Sequence, residues 1–98
     1  MMAKHGLAQA LRTVRTARGL SQEAFGDVSS RTYLSSLERG LKNPTLNKLS
    51  ELCEVMQIHP LTLMTMAYAG TASEAESLLA QVNKELQSIR AKVSQPRG

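Results

Sequence analysis

The apolar residues of this 98-residue chain recur at spacings of three and four, in short blocks that glycine and proline cut apart. That is the signature of several short amphipathic helices packed on one core. Aromatic residues make up only 3% of the chain, so the core must be built from Leu, Val, Met and Ala, a palette that favours helices over strands. Leu7, Leu11 and Val14 predict a first helix over residues 7–18, which Gly19 ends in a left-handed conformation. Ser21 predicts the cap of a short second helix over 21–27, with Ala24 and Phe25 turned inward. Ser29 or Ser30 caps a third helix over about 30–39, with Leu34 and Leu37 as its inward pair and Gly40 as its end. Asn43-Pro44 is a turn signal, and Thr45 caps a fourth helix over 46–56 that buries Leu46, Leu49, Leu52, Cys53 and Met56. Pro60 suits the first turn of a fifth helix over 60–68, with Leu61, Leu63, Met64 and Ala67 inward.

The longest pattern comes last. Over residues 73–93, Ala72, Ala75, Leu79, Val82, Leu86, Ile89 and Val93 keep an a/d register for about three heptads. Two uses fit it: an amphipathic helix folded back on its own domain, or a dimerisation helix with Leu79, Val82, Leu86, Ile89 and Val93 as its seam. In a parallel pair, Glu85 would face Arg90 of the other chain. Three heptads alone are marginal, so the fifth helix would have to help. The expected organisation is a domain over 1–70, the helix over 71–93 and a disordered tail over 94–98.

Charge divides the chain in the same way. Residues 1–42 carry seven basic groups (Lys4, Arg12, Arg15, Arg18, Arg31, Arg39, Lys42) against three acidic ones (Glu23, Asp27, Glu38), whereas residues 43–98 carry five of each. The whole net charge of +4 therefore sits in the first half, as expected of a surface that faces a polyanion. The front of the third helix offers Arg31, Thr32, Tyr33, Ser35, Ser36 and Arg39, with no Glu until Glu38. Two short helices joined by a tight turn, the second studded with such groups, form the pattern that enters the DNA major groove. There, Arg can reach guanine with two hydrogen bonds.

The same residues carry a resemblance. Leu11-Arg12 through Arg15, GLSQEAF at 19–25, RTYLSSLERG at 31–40, NPTL at 43–46 and the run from Leu49 through Pro60 to Leu63 resemble the Cro/CI-type (XRE) helix-turn-helix family of repressors and regulators. The resemblance spans about residues 7–68. It implies an all-α fold: a five-helix, lambda-repressor-like helix-turn-helix domain, followed here by the C-terminal amphipathic helix. It implies that Gln22 touches phosphate, that Arg31, Thr32 and Ser36 meet base edges, and that Arg39, Lys42 and Asn43 contact the DNA backbone. It also implies a partly buried salt bridge between Arg15 and Glu38. Two departures stand out. The stretch GDVSS at 26–30 is about two residues shorter than the family's form, so either a clipped second helix or a different start of the third is expected. Gln57 stands where the family often has a helix-ending Gly, which implies strain there.

The expected function is sequence-specific regulation of transcription, as a repressor bound to an inverted repeat as a homodimer. A protein-interaction module, such as an antitoxin that binds a toxin and its own operator, is the alternative; a restriction–modification controller and a non-specific nucleic-acid binder are further ones. Scarce aromatics argue against a base-stacking platform. Double-stranded DNA is the expected partner, with a protein partner also open and no membrane. No run approaches 18 apolar residues and no signal peptide is visible, so a cytoplasmic protein is expected. Cys53 is alone and reads as core, while His5 and His59 read as surface or capping groups. No nucleophile–base pair or phosphate-cradling loop is present, and neither enzymatic activity nor a cofactor or metal is expected.

Overall fold

A computed structural model of the chain describes residues 6–94. Its elements are α1 (Gly6–Ala17), a single 3₁₀ turn (Gln22–Phe25), α2 (Arg31–Glu38), α3 (Leu46–Met56), α4 (Pro60–Tyr68) and α5 (Ala72–Ser94). No strand occurs among the described residues. His5, Lys4 and the expected tail beyond Ser94 lie outside them.

The core is one cluster. Ala10, Leu11 and Val14 of α1, Phe25 of the 3₁₀ turn and Leu34 and Leu37 of α2 meet Leu49, Leu52, Cys53 and Met56 of α3 and Leu63 and Ala67 of α4. Helix α1 packs most extensively on α4 and also against α2. Burial pushes the Cys53 thiol pKa up, which keeps it a neutral packing group.

The helix ends follow from local chemistry. The Ser30 hydroxyl accepts from the Tyr33 amide (3.0 Å), and that of Thr45 from the Lys48 amide (3.1 Å). Nδ1 of His59 accepts from the Leu61 amide (3.0 Å), ahead of Pro60. Three helices stop in the same way, with paired bonds from two successive residues just beyond the helix back to its last turn. Leu20 and Gly19 donate to Arg15 and Thr16, Leu41 and Gly40 to Ser36 and Leu37, and Ile58 and Gln57 to Cys53 and Glu54. The geometry requires positive φ at the pivot. Gly19 and Gly40 supply it freely, whereas Gln57 adopts φ 59° as the one non-glycine residue to do so among those described.

Several expectations are corrected. Ser21 makes no side-chain cap, and the second helix shrinks to i→i+3 bonds, with the Ala24 amide on the Ser21 carbonyl (3.2 Å) and the Gly26 amide on that of Glu23 (3.1 Å). So short an element turns only Phe25 inward, and Ala24 is exposed. Leu46 is 77% exposed because it sits in the first turn of α3, beyond the end of the core. Leu61 is 65% exposed because it lies two positions from buried Leu63, on nearly the opposite side of α4.

Helix α5 is different in kind. A box that the sequence reading overlooked starts it: the Thr71 hydroxyl accepts from the Glu74 amide (3.1 Å), and the Glu74 carboxylate accepts from the Gly70 amide (3.0 Å). Only its base, around Ala75 and Leu78, is half-buried, and α4 is its main support. The remainder, from Leu79 to Ser94, is exposed. A 23-residue helix is about 35 Å long, which accounts for the elongated extents of 55 × 29 × 23 Å.

Candidate nucleic-acid interface

The anchor of the site is an ion pair beneath it. Arg15 of α1 grips Glu38 at the end of α2 with two parallel bonds, Nε to Oε2 (2.5 Å) and Nη2 to Oε1 (2.9 Å). Its remaining edge donates to the Leu20 carbonyl (2.8 Å). The side chains are 15% and 5% exposed, and the Glu38 hydrogen bond raises the Arg15 pKa still further. The amide of Gln22 also donates to Glu38 (3.3 Å), so α1, the 3₁₀ turn and α2 share one carboxylate.

A second tie was invisible to spacing arguments. The ammonium of Lys48 in α3 donates to the Val28 carbonyl, in the turn between the two helix-turn-helix elements, and also pairs with Glu51 (2.8 Å). The carbonyl of this turn residue is thus satisfied from outside the helix-turn-helix elements, by Lys48.

On this base, α2 presents a polar face. Arg31, Thr32, Ser35 and Arg39 line one open concavity together with Gln22. Arg31, Ser35 and Arg39 are four residues apart and stack along one line of the helix. Arg31 and Arg39 are exposed, Gln22 and Ser35 half-exposed. Arg31 also meets Glu23 of the 3₁₀ turn (3.5 Å).

Two residues expected on this front are elsewhere. Ser36 is buried at 8% exposure, on the flank where the chain doubles back and the Leu41 amide donates to the Ser36 carbonyl (2.9 Å). Tyr33 is half-buried against the core, with the Lys42 ammonium 5.6 Å from its ring centroid. Lys42 and Asn43 line a separate depression with the start of α1. The nine residues expected to meet DNA therefore divide into a set lining the open concavity (Gln22, Arg31, Thr32, Ser35, Arg39), a flanking set (Tyr33, Lys42, Asn43) and the enclosed Ser36.

The seam residues expected on α5 are all at its surface. Leu79, Val82, Leu86, Ile89 and Val93 are 39–80% exposed and form one apolar stripe about 21 Å long. At its lower end Leu79 shares an apolar depression with Leu61, Thr62, Thr65 and Met66 of α4. Glu85 accepts from Gln81 one turn earlier (3.0 Å). Among the described residues no group of His, Cys, Asp or Glu could hold a metal ion, and no helix is long and apolar enough to cross a membrane.

Comparison with known proteins points the same way. The helix-turn-helix family model matches residues 11–63, more than half of the chain. An uncharacterised helix-turn-helix-type transcriptional regulator, y4dJ of Sinorhizobium fredii, is 43% identical over 54 aligned positions; the match covers 53% of this chain and 70% of that protein. Among solved structures, the restriction-modification controller protein C.AhdI of Aeromonas hydrophila matches at 37% identity with a TM-score of 0.55. The match covers 58% of this chain and 89% of the controller. The clp gene regulator ClgR of Corynebacterium glutamicum matches at 25% identity and TM-score 0.58, over 95% of this chain and 94% of the other.

Proposed function

The chain belongs to the Cro/CI-type helix-turn-helix family of DNA-binding transcriptional regulators, and on that premise we propose that it is a cytoplasmic repressor that binds an inverted-repeat operator as a homodimer, without catalytic activity. The observation that carries the DNA-reading part is the polar face of α2. Arg31, Thr32, Ser35 and Arg39 gather on that one face beside Gln22 of the 3₁₀ turn, with Leu34 and Leu37 fixing the back of the helix. The B-DNA major groove admits one such helix, and its guanine edges accept two bonds from an arginine. Lys42 and Asn43, just past the end of the helix, would take the phosphate backbone, which supplies most of the affinity and makes it fall steeply with salt.

The homodimer rests on α5. Its stripe from Leu79 to Val93 is continuous with exposed Leu61 on α4, so a second copy could cover both. Two copies joined there would present two α2 helices to half-sites about one DNA turn apart, and so read an inverted repeat.

A second reading is favoured by one finding. The controller match at 37% identity supports control of a restriction–modification system, in which case a methyltransferase gene should lie beside this one.

The test is selection of bound duplexes from a random library near physiological salt, followed by sequencing. An enriched inverted repeat is the expected result. A pool without enrichment would overturn the reading and direct attention to a protein partner for α5.

A further inference from the structure

Two carboxylates stand beside the reading face. Glu38 is engaged by Arg15 and Gln22. Glu23 is engaged only at a distance: its Oε1 lies 3.5 Å from Nη1 of Arg31, and both side chains are 72% exposed. As a support for the fold such a pair contributes almost nothing. On a surface that must approach phosphates, an exposed carboxylate weakens attraction to any DNA. What it changes locally is the behaviour of Arg31.

We propose that Glu23 is a specificity-determining residue, whose carboxylate holds the Arg31 guanidinium for a guanine edge and keeps it from closing on a phosphate. The proposal rests on the reading of α2 as the recognition helix. A guanidinium carries five N–H donors in a fixed fork. Glu23 occupies the Nη1 side, which leaves donors free for guanine O6 and N7. An unrestrained arginine prefers a charged phosphate to a neutral base, because with phosphate both partners are ionised and the attraction of opposite charges adds to the bond. With Glu23 in place, a phosphate closing on Arg31 must also approach a negative charge, whereas a guanine edge carries no net charge. The carboxylate therefore penalises random sequence more than operator. Arg39 provides the contrast within the molecule: it lines the same concavity and pairs with no carboxylate among the described residues.

The experiment compares wild type, Glu23→Gln, Arg31→Ala and the double variant. Each is titrated with the inverted-repeat duplex enriched by selection and with a shuffled duplex of the same length, over a range of salt. Both sites are exposed, so the four proteins should melt alike. Glu23→Gln should bind the shuffled duplex about three- to fivefold tighter and lower the operator-to-shuffled ratio by a similar factor. Its salt slope on the shuffled duplex should steepen by about one phosphate contact. In the Arg31→Ala background the same substitution should leave the ratio unchanged. The proposal is overturned if Glu23→Gln leaves the ratio and slope as they were, or if the ratio falls equally without Arg31, which would make Glu23 a reader in its own right. Failure of the underlying reading looks different: no duplex is enriched, or Arg31→Ala relaxes no base position.

Discussion

Helices α1 to α4 and helix α5 carry the same three-and-four spacing of apolar residues, yet they use it in opposite ways. In the first four and the 3₁₀ turn between them, the apolar groups converge on one another and leave Leu11, Phe25, Leu34, Leu52 and Leu63 almost without exposure. In α5 the stripe converges on nothing beyond its first two turns, and no residue is buried. The difference is one of partners rather than of pattern. Four stripes close into a core because short turns at Gly19, Gly40 and Gln57 fold them back on each other, whereas α5 runs on from Leu79 to Ser94 past anything that could cover it. A periodic stripe shows that a face exists; where the chain next reverses decides what the face meets.

The sharpest break of this comparison is a pair of substitutions at the two kinds of apolar site. Phe25→Ala removes a fully buried ring that ties the 3₁₀ turn to the core and should lower stability by about 3–5 kcal/mol, a large part of what a domain of this size has. Leu86→Lys, on the exposed stripe, should leave the melting of dilute protein unchanged and convert the proposed dimer to a monomer in sedimentation. Equal loss of melting temperature in the two variants would mean that α5 belongs to the core after all.

A smaller effect is expected at the junction between core and reading face. Glu38→Gln replaces the carboxylate that α1, the 3₁₀ turn and α2 share, and leaves the enclosed Arg15 without its counter-charge. Thermal denaturation should show a loss of about 2–3 kcal/mol, somewhat below that of a wholly buried pair because Arg15 keeps partial contact with water and its bond to Leu20. An unchanged melting temperature would show that the pair only decorates the fold. Since α5 touches none of these groups, the proposed dimer should survive while the domain weakens.

Legibility in the sequence followed the same divide between local and tertiary chemistry. The spans 46–56 and 60–68 were readable because Thr45 and Pro60 mark starts by chemistry that acts within one turn. The Arg15–Glu38 pairing was readable only through the family resemblance, since 23 positions separate the two residues. Of the residues lining the concavity, charge and helical spacing point to Arg31, Thr32, Ser35 and Arg39, whereas Gln22 comes through the resemblance. Ser36 was lost because its burial comes from the returning chain after Gly40, which no helical wheel of α2 contains. Leu61 was misplaced because α4 is apolar nearly all round, and a helix without a polar side has no period to read. The Lys48 bond to Val28 spans 20 positions and ends on a backbone carbonyl, so no side-chain pattern could have announced it.

The smallest effect is also the most local. Gln57 forms the same helix-ending bonds as Gly19 and Gly40, but with a side chain in a conformation that costs about 1–2 kcal/mol for a residue bearing a Cβ. A glycine at this position would remove that cost and give part of it back through its greater freedom in the unfolded chain, about 0.5–1 kcal/mol. Gln57→Gly should therefore stabilise the domain by about 0.5–1 kcal/mol and raise Tm by a few degrees. The Arg18 contact to position 57 uses the backbone carbonyl (3.4 Å), so the substitution leaves it in place. An unchanged Tm would mean that the glutamine side chain offsets the strain. Either way the self-association of α5 should not move, because the gain is confined to the join between α3 and α4. A shift in both would show that the two regions are one cooperative unit, and that the bare stripe is held in place by the core behind it.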